Sequence, residues 1–302
     1  MNIRKNTLRK RPKDEDVDHI PQINLIGYFS GPLTNPIDMF MEMLTVVHSR
    51  VGEHVVDYAI HPIYGKETQI IKNFHDHGPL SVIQASFPGV ASYFLAGRDL
   101  GVLGASVSRR WSIFLSNERP RSYSEDYYFQ FVCYMDEDTL GDLLEGTQRL
   151  SLVRDMVAVL DKTGQCYYGF VDADEAGRVD YGHYYGVSFE GYSPWRYCVN
   201  KVDWLADLKE RRSRVRFPSW GTYLGPDLAA KANKIGDLYK EYTARKAEEP
   251  DQYAERFDSG GMFLAVGKNP MDTVYLPPER SGSAPVQNAA WLWSWFRRAG
   301  MI

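Results

Sequence analysis

Apolar and aromatic positions recur along the chain with two periods, and the alternation between them sets out the predicted elements. Residues 23–30 read INLIGYFS, a β-type run closed by Gly31 and Pro32. Asn35 then suits an N-cap and Pro36 a first helical position. Ile37, Phe40, Met41, Leu44 and Val47 follow at helical spacing, and residues 54–60 (HVVDYAI) return to a strand pattern. The same order recurs about a hundred residues later. Residues 127–135 (YYFQFVCYM) predict a strand, and Asp136, Asp138 or Thr139 can cap a helix carrying Leu140, Leu150, Val153, Val157 and Leu160. Gly164 ends that helix, and residues 166–171 (CYYGFV) form the return strand.

Between these units, residues 80–87, 91–95 and 110–115 are short β-type runs broken by Gly89, Gly97, Gly101 and Gly104, which predict a meander. The distal part predicts a strand ending at Trp220, a helix opening at Gly225-Pro226-Asp227, a polar helix through about Ala247, a strand over 262–266 and a closing amphipathic helix. Val286, Ala290, Trp291, Leu292, Trp293, Trp295 and Phe296 of that last helix are its docking residues. The expected fold class is α+β: a mixed, mostly antiparallel sheet with two strand-helix-strand units and packed helices. Residues 1–20, with six basic side chains up to Lys13 and then Asp14, Glu15, Asp16 and Asp18, predict a disordered tail. Residues 21–302 are expected to form a single α+β domain that admits two related halves, 21–120 and 121–302.

Composition narrows the function classes. A net charge of −4 over 302 residues excludes a uniformly basic nucleic-acid binder. No apolar run reaches the roughly 18 residues of a membrane helix, and the charged N-terminus has no apolar core of a secretory signal. Cys133, Cys166 and Cys198, without a CxxC pair, read as reduced thiols of a cytoplasmic protein. No serine-hydrolase elbow, phosphate loop, HExxH or dinucleotide fingerprint is present. The expectation is a protein that is not an enzyme, with no cofactor and no metal. His75-Asp76-His77 lacks the third convergent ligand that a metal needs and reads as a polar turn. If the chain were instead a hydrolase or transferase, His54, His61, Asp57 and Asp76 would be the first residues of its pocket. A structural assembly subunit is the third class, recognisable by self-association.

Charge is segregated along the sequence. Residues 125–180 hold thirteen acidic and four basic side chains, a net of −9, which leaves +5 for the remainder. A negative face of this kind steers a positively charged partner. An aromatic run overlaps it: Tyr167, Tyr168, Phe170, Tyr181, Tyr184, Tyr185, Phe189, Tyr192, Trp195 and Tyr197, separated by glycines. Exposed tyrosines beside acidic loops suit a protein partner. Asp172, Asp174 and Glu175, read as neighbours on one turn, do not face each other across a substrate as glycosidase carboxylates must.

Residues 202–205 (VDWL) and 219–226 (SWGTYLGP) complete the pattern. Together with Tyr167-Tyr168-Gly169, the Trp220-Gly221 pair followed by Leu224-Gly225-Pro226 resembles the immunity-protein families of bacterial polymorphic-toxin and type VI secretion systems (T6SS), over roughly residues 125–275. The resemblance implies an α+β protein that binds and neutralises a cognate toxin. The sites it points to, with the charge pattern, are Asp172, Asp174, Glu175, Asp180, Tyr181, Tyr184 and Tyr185, the carboxylates for steering and the tyrosines for anchoring. The expected partner is a cognate protein toxin, a basic nuclease fitting the charge best, with no nucleic acid and no membrane, and with a homodimer left open. Read on its own chemistry, Trp220 plugs the core, Gly221 or Gly225 takes a positive φ, and Pro226 with Asp227 starts a helix.

Overall fold

The INLIGYF run sits at the centre of a ten-stranded sheet because it is apolar on both of its faces. The computed structural model describes residues 21–51, 55–62, 69–72, 90–98, 109–116, 127–134, 146–175, 211–215, 219–245, 252–267 and 284–302. In chain order the elements are β1 (Pro21–Phe29), α1 (Pro36–Val51), β2 (Val55–Pro62), β3 (Gln69–Lys72), β4 (Val90–Arg98), β5 (Arg109–Ser116), β6 (Tyr127–Tyr134), α2 (Gly146–Lys162) and β7 (Cys166–Glu175). They continue with β8 (Gly221–Leu224), α3 (Pro226–Ala232), α4 (Leu238–Ala244), β9 (Tyr253–Arg256), β10 (Met262–Ala265) and α5 (Ala284–Arg298). The expected tail 1–20 and the run 80–87 lie outside the described residues. No described helix is long and apolar enough to cross a membrane.

The strand order is β3-β2-β4-β5-β6-β1-β7-β8-β10-β9. The fold is α+β as expected, and every pairing among the described strands is antiparallel. β1 lies between β6 and β7 and runs against both, with Leu25 opposite Phe131 on one side and Val171 on the other. The β6-α2-β7 unit therefore steps over one strand. The β1-α1-β2 unit steps over three, because β6, β5 and β4 separate β1 from β2. Both units exist, and their likeness ends at element order.

α2 crosses directly above β1. Gly27 makes room for it: a Cβ there would lie 2.8 Å from Leu160 Cδ1. α1 and α2 pack against each other on this face. Beneath them lie Ile23, Leu25, Phe29, Phe129, Phe131, Ile113 and Leu115, all fully buried. The alternate set on β1, β7, β8 and β10, namely Ile26, Tyr28, Tyr168, Phe170, Leu224, Met262 and Leu264, is buried too. This half of the sheet is thus covered twice, and α3, α4 and α5 supply Leu228, Tyr242, Leu292, Trp295 and Phe296 to the same core.

The distal elements form for local reasons. Trp220 plugs the core as expected, fully buried with its indole N–H donating to the Gly267 carbonyl at 2.9 Å, but it precedes a strand rather than ending one. Gly225 has φ −63°, and neither it nor Gly221 is among the described positive-φ glycines, which corrects the expected reason for both. A Cβ on Gly225 would lie 2.5 Å from the Cys166 carbonyl oxygen and 2.8 Å from Tyr167 Cα, so the constraint is close backbone approach. The expected helix opening at Gly225-Pro226-Asp227 and the polar helix after it are α3 and α4, and the latter ends at Ala244. Gly236 at φ 150° turns the chain under the Trp295 ring, and Asp237 then caps α4 by accepting from the Lys240 N–H at 3.0 Å.

Candidate functional site

The candidate contacts begin on β7. Asp172, Asp174 and Glu175 are the last residues of this strand, in register with Asn24, Gln22 and Pro21 of β1. They were expected on a loop or turn; they continue the ladder instead, because β1 extends N-terminally far enough to pair with them. Asp180, Tyr181, Tyr184 and Tyr185 lie outside the described residues. The structure thus brings the three carboxylate positions together on one strand end.

The first aromatics of the run are core. Tyr168 and Phe170 are buried, and Tyr168 stacks on Tyr28 with centroids 6.3 Å apart and planes within 5°. Tyr167 is buried at the bulge opposite Tyr28 and Phe29, and burial pushes its hydroxyl pKa well up. These three rings hold the sheet together and do not serve as anchors for a partner. The other seven aromatics of the run lie outside the described residues.

Two further carboxylates of the acidic segment have described side chains, and both turn inward. Asp155 accepts from Arg50 of α1 at 2.8 Å and from Arg154 at 3.1 Å. Arg154 reaches across to β9, where its Nε and an Nη donate to the two oxygens of Glu255 at 2.8 and 2.6 Å. Tyr253 donates to Glu255 at 2.5 Å. This ladder ties α1, α2 and β9 together. The hydrogen bonds from Arg154 hold the Glu255 carboxyl below the usual carboxylate range, and burial with the Glu255 contact pushes Tyr253 up to about 12. Nothing in the sequence spacing signals the pairing, since Arg154 and Glu255 are 101 residues apart.

Asp161 is the second inward carboxylate, 7% exposed at the end of α2. It accepts from the Tyr223 hydroxyl at 2.8 Å and from Ser259 at 2.5 Å, and Ser259 in turn accepts from the Gly261 N–H at 2.9 Å. Burial raises the Tyr223 hydroxyl pKa, and the same effect raises that of the buried Cys166 thiol. The Asp161 bonds fasten α2 to β8 and to the β9–β10 turn, an assignment that the sequence pattern does not signal. Among the described residues no group of three or more His, Cys, Asp or Glu gathers as a metal site.

Of the residues considered for an enzymatic pocket, Asp57 and His61 lie on β2, four positions and about 13 Å apart along the strand. His54, Asp76 and the His75–His77 turn lie outside the described residues. No family model and no curated protein matches the chain. Among solved structures the chain is similar to the Pseudomonas aeruginosa T6SS protein PA0821, with a TM-score of 0.50 and 13% identity, over 92% of this chain and 72% of that one. At that identity the likeness is one of fold, and it spans nearly the whole of the chain.

Proposed function

We infer that this chain is a T6SS-associated immunity protein that binds a cognate protein toxin and neutralises it by occupying its active surface. The observation that carries the reading is the fold shared with a T6SS protein along 92% of the chain. The segregated charge supports a basic partner, since the −9 segment from 125 to 180 contrasts with +5 elsewhere. The inward carboxylates Asp155 and Asp161 are committed to the scaffold, so the negative face draws on the other acidic residues of the segment. Asp172, Asp174, Glu175 and Asp180 steer the partner, and Tyr181, Tyr184 and Tyr185 anchor it. A toxin that works on nucleic acid has the basic groove such a face fits.

The test is capture of the tagged chain from its native lysate at low and at high salt, with mass spectrometry of what co-elutes. One stoichiometric basic protein, released by salt, is the expected result. With that partner in hand, the variant carrying Asp172→Asn, Asp174→Asn and Glu175→Gln keeps side-chain size and removes three charges. Its association should slow at least tenfold at low salt and lose salt dependence. An association rate equal to that of the unaltered chain removes residues 172–175 from the interface.

A further inference from the structure

A cleft of about 210 Å³ opens where the first turns of α1 meet the end of α2 and the turn into β7. Leu33, Met39 and Val159 line it as apolar residues, none more than 6% exposed. Thr34, Asp38, Glu42, Lys162 and Gln165 contribute the polar lining. The volume is below the roughly 300 Å³ at which pockets begin to take drug-sized ligands or cofactors, and it suits a single side chain.

The cleft is built before anything enters it. Gln165 Nε2 donates to the Pro32 carbonyl at 2.8 Å, and its Oε1 accepts from the Thr34 N–H at 3.0 Å and the Thr34 hydroxyl at 3.3 Å. The Thr163 hydroxyl donates to the Leu160 carbonyl at 2.6 Å and accepts from the Gln165 N–H at 3.2 Å. The Gln165 side-chain bonds join segments more than 130 residues apart in sequence and the Thr163 bonds fix the turn between them, so occupying the cleft requires little ordering.

Its charges decide the occupant. Lys162 is paired with Glu42 across the cleft. Asp38, exposed in the first turn of α1, has no ion-pair partner among the described residues, which leaves the lining one negative charge in excess. A carboxylate or phosphate would meet Asp38, and an aliphatic side chain would strip water from charged walls. A guanidinium is weakly hydrated, planar and rich in donors, and its three methylenes match the Leu33, Met39 and Val159 lining.

We propose that this cleft is a socket for one arginine side chain of a protein partner, with Asp38 as its counter-ion and the apolar lining receiving its stem. The arginine's owner rests on the reading above, in which the partner is a basic protein. The socket lies at the start of β7, and Asp172, Asp174 and Glu175 lie toward its far end, about 20 to 30 Å away along the strand. Two contact points so placed would fix the orientation of a partner spanning them.

The probe is N-acetyl-arginine amide, titrated into the isotopically labelled full chain and followed by amide chemical shifts. Saturable shifts concentrated in residues 33–42 and 159–165 are expected. The citrulline analogue, equal in shape and uncharged, should bind at least fivefold more weakly. Asp38→Asn should weaken the arginine probe by at least fivefold as well. Absence of saturable shifts there, or equal binding of the citrulline analogue, overturns the proposal. The comparison of the two probes needs no variant, so it decides even if Asp38→Asn folds poorly. No protein partner is present, so a failed titration leaves toxin capture standing, and a failed capture leaves the titration to decide the socket.

Discussion

At the scale of single residues, the chain is governed by close approach more than by unusual backbone angles. Gly225 must be glycine because the atoms that would meet its Cβ are the backbone of Cys166 and Tyr167, which side-chain rotation cannot move aside. Gly225→Ala should therefore cost about 3 kcal/mol, the upper end for overpacking, whereas Gly31→Ala, where nothing lies within 4 Å, should leave stability within about 1 kcal/mol of the original. Urea unfolding with an unchanged slope checks both, and equal effects would contradict the account. Cys166 is buried and its thiol is pushed toward the neutral form, so it should resist a thiol reagent until the chain unfolds. Peptide-resolved mass spectrometry reads this site apart from Cys133 and Cys198, and labelling of Cys166 under native conditions would refute its placement. The roles of Trp220, Pro226 and Gly164 were legible in the sequence because each acts through its own backbone or bulk. That of Gly225 was misread because its reason lies 59 residues away, at Cys166.

At the scale of elements, strong periodicity translated directly: α1, the end of α2 at Gly164, the start of β7 and α5 stand where the pattern places them, while β7 runs on to Glu175. The place where α3 gives way to α4 was not legible, because the polar pattern continues through Gly236 while the backbone there takes φ 150°. Pairing was not legible either. Arg50, Asp155, Arg154 and Glu255 come together only once α1, α2 and β9 are in place. The Glu255 carboxyl titrates lower in the fold than unfolded, so its contribution is present above the unfolded value of about 4.3 and is lost as pH falls through the folded one. Glu255→Gln should thus lower stability by about 1 kcal/mol at pH 7, a figure reduced by the partial exposure of Arg154, and the gap should close toward pH 3. A gap of constant size between pH 7 and pH 3 would show that the pair does not act through charge.

At the scale of the whole molecule, the fold class was legible and the strand order was not. Element order alone does not say that β1 inserts between β6 and β7, or that β2 is reached across three strands. The charge asymmetry was legible, but its distribution between scaffold and surface was not, since Asp155 and Asp161 turn inward to partners distant in sequence. On the proposed reading, the carboxylates toward the far end of β7 and the cleft at its start are the two places a partner would engage. Neutralisation of a toxin is read most directly from the number of colony-forming cells of a heterologous host after induction of the captured partner, with and without this chain. The partner alone should arrest growth, the chain should restore it, and the Asp172→Asn, Asp174→Asn, Glu175→Gln variant should restore it less. A partner that is harmless alone, or an arrest that the chain does not relieve, would contradict neutralisation.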